Sequence, residues 1–292
     1  MPTPKSRTVD KIIGSIAGLP PFPEVARRVM ELSRDPDASH KEIADVIKYD
    51  DAITANCLKL CNSSYYSLSV KVFSMTQAVN MLGLKNIIMI ALASTKSLSA
   101  FAKAQQKYCL TKGELWRHSV TTAIISQLLL KRAKVDEDSI LFTAALLHDF
   151  GKIVLDQYVE GEVDNLIELT QKEGVSLIEA EKEVFGIDHS ELGGLIAEEW
   201  NFPSMLINSI RNHHQEISSK DIPNVESWVR LSNLVFYLSY SKFTLSYHKG
   251  ITCQIDPEVL TRYRLKAEDI DAVISGLPAE IKKTEAMLKI SL

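Results

Sequence analysis

Cysteine is scarce. Four thiols, Cys57, Cys61, Cys109 and Cys253, are scattered through 292 residues, too few for a disulfide framework in a chain of this size, and they read as reduced. Cys57 and Cys61 stand four apart in ITANCLKLC, on one face of a helix. A two-thiolate metal clip and a pair of small core residues are both open, and the lack of a second thiol pair to complete a tetrahedral site favours the core. Basic charge is not in excess either. With Lys+Arg at 33 and Asp+Glu at 37 the net charge is −4 and the pI about 6.0. No global field recruits nucleic acid or an anionic membrane, so any nucleotide has to be held locally. Long apolar runs are missing: the longest, Ile87 to Ala93, meets Ser94, Thr95 and Lys96, far short of the roughly 18 residues of a membrane helix. Met1 to Thr8 lead into no apolar signal-peptide core, so the expectation is a cytoplasmic protein. Glycine is sparse, at 12 residues, and few stretches alternate apolar with polar as a half-buried strand requires. Lys152 belongs to no phosphate-binding P-loop, because Leu146 stands where that motif needs a glycine five residues before Gly151.

What is present is helical periodicity with clear punctuation. The segment from Pro23 to Leu32 spaces Val25, Val29, Met30 and Leu32 as an amphipathic helix, with Pro23 tolerated in its first turn. Asp35-Pro-Asp-Ala-Ser39 interrupts it, and Ser39 caps a following helix with Glu42 at the capping-box position. Breaks recur at Asn62 to Ser64, Asp136 to Asp138, Gly186-Ile-Asp188, Phe202-Pro203 and Ile222-Pro223. About a dozen helices and an all-α architecture are expected. There is no fixed-period repeat and no low-complexity segment. Histidine divides the chain: residues 10 to 98 hold only His40, whereas five of the seven fall between His118 and His214, with a polar connection from Ala100 to Lys112 between. The tail from Asp256 reads as a helix pair, starting at Asp256-Pro-Glu and Ala267-Glu-Asp, that extends the packing.

The densest chemical signal is Leu146-Leu-His-Asp-Phe-Gly-Lys152, a His-Asp pair at the end of the apolar helix Phe142 to Leu147. Adjacent helical side chains point about 100° apart, so His148 and Asp149 can touch two sides of one metal or two adjacent metals. Glu114 and His118 are spaced i and i+4, on one helical face. His189 follows Gly186-Ile-Asp188, and His213-His214 follow a helix from Ser204 to Arg211. Five imidazoles and two carboxylates suit iron, manganese or zinc better than calcium.

Several segments together resemble the HDOD family, bacterial relatives of the HD phosphohydrolases. LPPFPEVARRVMEL, IADVIKYDDAITANCLKLCNSSYY and QAVNMLGLKNI match its opening, and ELWRHSV, AALLHDFGK, EKEVFGIDHSELGG, LIAEEWNFP and INSIRNHH follow in its order. The likeness runs from about residue 18 to about 240. It implies an N-terminal helical bundle over 10–108 packed on an HD-type helical bundle over 109–245; the tail, read from its own composition, adds a C-terminal helical extension over 246–292. The HD-GYP phosphodiesterases use a two- or three-metal site, and likeness to them implies divalent transition-metal ions here, with two expected (Fe, Mn or Zn). Glu114, His118, His148, Asp149, His189, His213 and His214 would be their ligands, Asp149 would bridge, and Lys152 would lie against a substrate phosphate. Two departures stand out. Where the last HD helix usually presents aspartate, Val229-Arg-Leu-Ser-Asn-Leu-Val235 offers Asn233, a neutral and weaker metal ligand. HHQEISSKDIP also lacks the glycine-tyrosine-proline loop that receives a cyclic dinucleotide.

Two functions follow from that likeness. One is a signalling or regulatory module whose metal or nucleotide pocket is structural or sensory. The other is a metal-dependent phosphohydrolase acting on a nucleotide or phosphoester, with Asp149 and Lys152 in catalytic roles. Asn233 and the missing loop favour the regulatory module, because catalysis needs a positioned substrate as well as metal. No receiver, cyclase or DNA-binding domain is recognisable in the sequence. Signalling proteins, or a nucleotide or phosphate ligand, are therefore the expected non-covalent partners, without direct nucleic-acid or membrane binding.

Overall fold

A computed structural model describes residues 4–17, 24–32, 35, 37–63, 66, 71–93, 114–134, 139–156, 162–171, 175–214, 234–235, 260–261 and 263–288. Every extended regular element among them is a helix, as the scarcity of glycine and of alternating segments leads one to expect. The chain divides into two compact units, one of residues 20–100 with 281–291, the other of 1–19 with 101–280 and 292.

The smaller unit contains α1 (Glu24–Leu32), α2 (His40–Ile47), α3 (Asp51–Cys61) and α4 (Met75–Ala93). The three shorter helices all lean on one another or on α4, and Ala26, Val29, Ile43, Ile47, Ile53, Cys57, Val79 and Ile87 form the buried interior. Local chemistry sets the ends. Ser39 and Glu42 form the reciprocal capping box expected of them, and Asp50 accepts from the Ile53 amide. Asn62 ends α3 and clamps the returning chain: its amide donates to the Leu58 and Val72 carbonyls while its Oδ1 accepts from the Val72 N–H. α4 is broken at Gly83, whose φ of 72° is left-handed. Cys57 and Cys61 are both buried. Burial pushes the Cys57 thiol up to about 12 and the Cys61 thiol up to about 11. Neither falls in a group able to hold metal, and protonated thiols are poor ligands, so the pair acts as core. Cys109 and Cys253 lie outside the described residues.

The larger unit carries the histidines. Its described helices are α5 (Pro4–Ile16), α6 (Glu114–Ala133), α7 (Ser139–Leu147), α8 (Gly151–Asp156), α9 (Val163–Gln171), α10 (Leu177–Phe185), α11 (His189–Glu199), α12 (Ser204–Arg211) and α13 (Ala267–Leu288), the last belonging to this unit as far as Glu280. α5 lies against α10 and α11, α6 packs along α7, and α11 is flanked by α8 and α12, with α12 also touching α7. α7 reads SILFTAALL, apolar all round, and residues 141–147 are buried. The break at Gly186-Ile-Asp188 is doubly specified. Gly186 ends α10 with a left-handed φ of 79°, and Asp188 caps α11 by accepting from the Ser190 and Glu191 amides. At the start of α8, a Cβ on Gly151 would collide with the His189 carbonyl and stand 2.9 Å from the Gly193 amide nitrogen. Glycine is therefore what lets α8 approach the first turn of α11. The breaks at Asp136 to Asp138 and Ile222-Pro223, the connection Ala100 to Lys112 and the start at Asp256 lie outside the described residues; the start at Ala267 is where α13 begins.

Candidate metal centre

Four segments of the larger unit deliver the site. α6 presents His118 from its buried face, and the turn between α7 and α8 presents His148 and Asp149. The first residue of α11 is His189, and the turn after α12 carries His213 and His214. All but the half-buried His214 are buried, and Asp149 sits among them. Its two oxygens face different neighbours. Oδ2 lies 3.4 Å from His148 Nε2 and 3.6 Å from His118 Nε2, while Oδ1 lies 3.2 Å from His189 Nε2 and 3.6 Å from His213 Nε2. Within each set the rings also approach: His118 and His148 Nε2 atoms are 3.2 Å apart, those of His189 and His214 2.9 Å. Two groups of ligand atoms thus share Asp149, one with His118 and His148, the other with His189, His213 and His214.

The hydrogen bonds at the far side of the rings decide what these nitrogens can do. His148 Nδ1 is 2.8 Å from the Ala145 carbonyl and His213 Nδ1 is 2.6 Å from that of Ile210. A carbonyl only accepts, so each ring donates from Nδ1. In the neutral ring Nε2 is then left as a lone pair. His189 Nδ1 likewise meets the Glu181 carboxylate, at 2.7 and 2.8 Å from its two oxygens, and Glu181 also accepts the His189 backbone N–H at 2.7 Å. Lone pairs of at least three imidazoles therefore converge on a carboxylate, an arrangement of acceptors that a cation would join. At metal–nitrogen lengths of about 2.0–2.1 Å, two imidazoles on one ion lie about 2.9–3.4 Å apart, the spacing observed here. The donor set fits a divalent transition metal on each side of Asp149.

Burial sets the protonation. It holds His118 down to about 4 and His148 and His214 well below the usual imidazole range; it also lowers His213, the Asp149 charge opposing it at His118, His148 and His214. Burial works against charge at Asp149 too, but its interactions with the neighbouring His148 and the Lys152 ammonium outweigh it and hold the carboxyl well below the usual carboxylate range. At His189 burial is overcome by Glu181, and the imidazole is raised. Lys152, on α8, is 1 % exposed, and its Nζ pairs with Asp149 Oδ2 at 2.8 Å. Burial lowers its ammonium from the ordinary lysine value, and Asp149 draws it back.

Not every expected ligand joins this cluster. Glu114 opens α6 one turn before His118, but it is in neither group of converging atoms. Asn233 lies outside the described residues. Conversely, sequence reading passed over Glu181. Its signal is the glutamate eight positions before His189 in EKEVFGIDH, a pair that helical periodicity cannot join because α10 ends between the two.

With the geometry in hand, comparison with known proteins adds the family. A family model described as the HDOD domain matches residues 19–216. The chain belongs to the HDOD family. Among solved structures it is similar to an HDOD domain protein of unknown function from Geobacter sulfurreducens, with a TM-score of 0.72 and 22% identity over 97% of this chain and 96% of that one. It is also similar to a candidate signal transduction protein from Marinobacter aquaeolei, with a TM-score of 0.75 and 19% identity over 98% and 66% of the two chains. A third, a candidate metal-dependent phosphohydrolase from Shewanella amazonensis, gives 0.58 and 20% over 97% and 99%. These likenesses establish the HDOD fold. In sequence, the chain is 24% identical over 277 residues to an uncharacterized protein of Treponema pallidum, and it spans about half the length of that curated relative, 49%. No helix among the described residues is long and apolar enough to cross a membrane.

Proposed function

We propose that this HDOD protein is a signalling or regulatory module whose HD-type centre holds a pair of divalent transition-metal ions bridged by Asp149, in a structural or sensory role. The observation that carries the reading is the division of ligands about one carboxylate: Oδ2 faces His118 and His148, Oδ1 faces His189 and His213. Six buried or half-buried ionisable side chains brought this close are costly without a cation to join them. His118, His148, Asp149, His189, His213 and His214 would hold the ions, which would supply positive charge and Lewis acidity. Glu114 and Asn233 are further ligands by family likeness alone. The regulatory role is favoured over hydrolysis because the chain offers the neutral Asn233 where the last HD helix usually presents aspartate and lacks the glycine-tyrosine-proline loop, whereas catalysis needs a positioned substrate as well as metal. Output then passes to protein partners, or through a nucleotide or phosphate ligand.

A second reading, a metal-dependent phosphohydrolase, draws on Lys152, an ammonium beside the bridging carboxylate that would suit a substrate phosphate. The two are separated by metal analysis of protein purified without chelator, alongside a screen of phosphoesters and cyclic nucleotides. The expected result is bound transition metal with no turnover. Hydrolysis near the ordinary enzyme range, roughly 1 to 1000 per second, would establish the phosphohydrolase, and absence of metal at every loading would remove the metal centre.

A further inference from the structure

The two sides of Asp149 are not chemically equal. On the Oδ1 side stand three imidazoles, and one of them, His189, is held by a second carboxylate: Glu181 takes both its Nδ1–H and its backbone N–H. Glu181 is fully buried, so its charge acts on His189 with little screening. A carboxylate behind a ligating imidazole fixes the tautomer and raises the basicity of the other nitrogen. On the Oδ2 side the described residues supply two imidazoles, and the shared oxygen is already paired with an ammonium, Lys152 Nζ at 2.8 Å. Lys152 is 1 % exposed and lies three residues after Asp149, so the pair is buried and local. A dication entering this side meets a positive charge already paired with the oxygen it would take. One entering the other side meets an additional negative charge behind its ligand.

We infer that the centre fills in order: a first ion binds tightly on the His189–His213–His214 side of Asp149, and a second binds weakly on the His118–His148 side in competition with Lys152. Glu181 and Lys152 are positioning and competing residues in this scheme, and their charges, more than the count of ligands, separate the two affinities. Over a range of metal concentration the protein is then a one-ion protein, and the second ion reports metal abundance. The inference rests on the metal-centre reading above and adds the order of filling to it.

The test is a titration of the full chain with manganese(II) at constant neutral pH, bound ion being counted by electron paramagnetic resonance. Two steps are expected, separated by about tenfold or more in Kd. Lys152→Met, which removes the ammonium and keeps the length, tightens the second step by about tenfold and leaves the first nearly unchanged. Glu181→Gln keeps the volume and weakens the first step by about 10–100-fold. Should that variant lose its helical circular dichroism, His118→Ala provides the check, removing the weaker step and sparing the tighter one. Two equal steps, a Lys152→Met variant with an unaltered second step, or loss of the tighter step in His118→Ala would overturn the order of filling while leaving the metal centre standing. Failure of the unaltered chain to bind manganese(II) or zinc(II) at all would overturn the centre itself, and the order with it.

Discussion

Asp149 carries a demand that no other residue of the site shares: fully buried among the imidazoles, it turns each of its two oxygens to a separate set of them. Asp149→Asn keeps the volume but halves the acceptors and removes the charge. Bound metal measured on the purified variant should fall on both sides of the centre at once, whereas His118→Ala should remove only part of it. Cys57 and Cys61 make a different residue-scale case. Burial raises both thiols, to about 12 and about 11, from the 9.0 of an exposed thiol. Between those values the folded chain keeps protons that the unfolded chain releases. The contribution to stability is therefore full below about pH 9 and lost as pH rises toward 11 and 12. Denaturant unfolding followed across that window should show a shallower alkaline loss for Cys57→Ala than for the unaltered chain, offset at neutral pH by the cost of the cavity.

At the scale of the element, the helix ends place the chemistry. Ser176 and Glu179 form a capping box at the start of α10, the helix that supplies Glu181. Ser176→Ala should cost about 1 kcal/mol, read as a lower denaturation midpoint with an unchanged slope. The same variant should bind metal nearly normally, because Glu181 is anchored by its own bonds to His189. The Gly151 position is less forgiving. Any Cβ there meets the His189 carbonyl, so Gly151→Ala has to push α8 away from α11 and with it shift His189 against Asp149. Loss of both stability and bound metal is expected, and calorimetric melting with metal analysis on one preparation reads the two together.

At the scale of the whole molecule, metal and folding are linked. A centre assembled from α6, the α7–α8 turn, α11 and the turn after α12 exists only when the larger unit is folded, so bound ions stabilise the native state by mass action. Stripping the protein with a chelator should lower its melting temperature, and readdition of manganese(II) or zinc(II), but not calcium(II), should restore it. An unchanged melting temperature after verified removal would mean that the centre is not coupled to the fold.

Much of this was legible before any coordinates. Helix ends depend on contacts three or four residues away, so Ser39 with Glu42, the break at Gly186-Ile-Asp188 and the start at Ala267 could be read from adjacent letters. Scarce glycine and the absence of alternation pointed to an all-α fold, and the ordered motifs to the HDOD family. Which residues meet across the molecule was another matter. His118 and His148 are 30 positions apart and His189 and His214 are 25 apart, so their approach depends on how α6 packs on α7 and α11 on α12. The i and i+4 spacing that puts Glu114 on the face of His118 does not bring it into the cluster. Glu181, unremarkable in the sequence, becomes the residue behind His189 only because α10 turns back at Gly186. Only tertiary structure assigned the two oxygens of Asp149 to different sides and set Lys152 against one of them. Periodicity reports which face of a helix is buried; charge at a buried point is the sum over every element that reaches it.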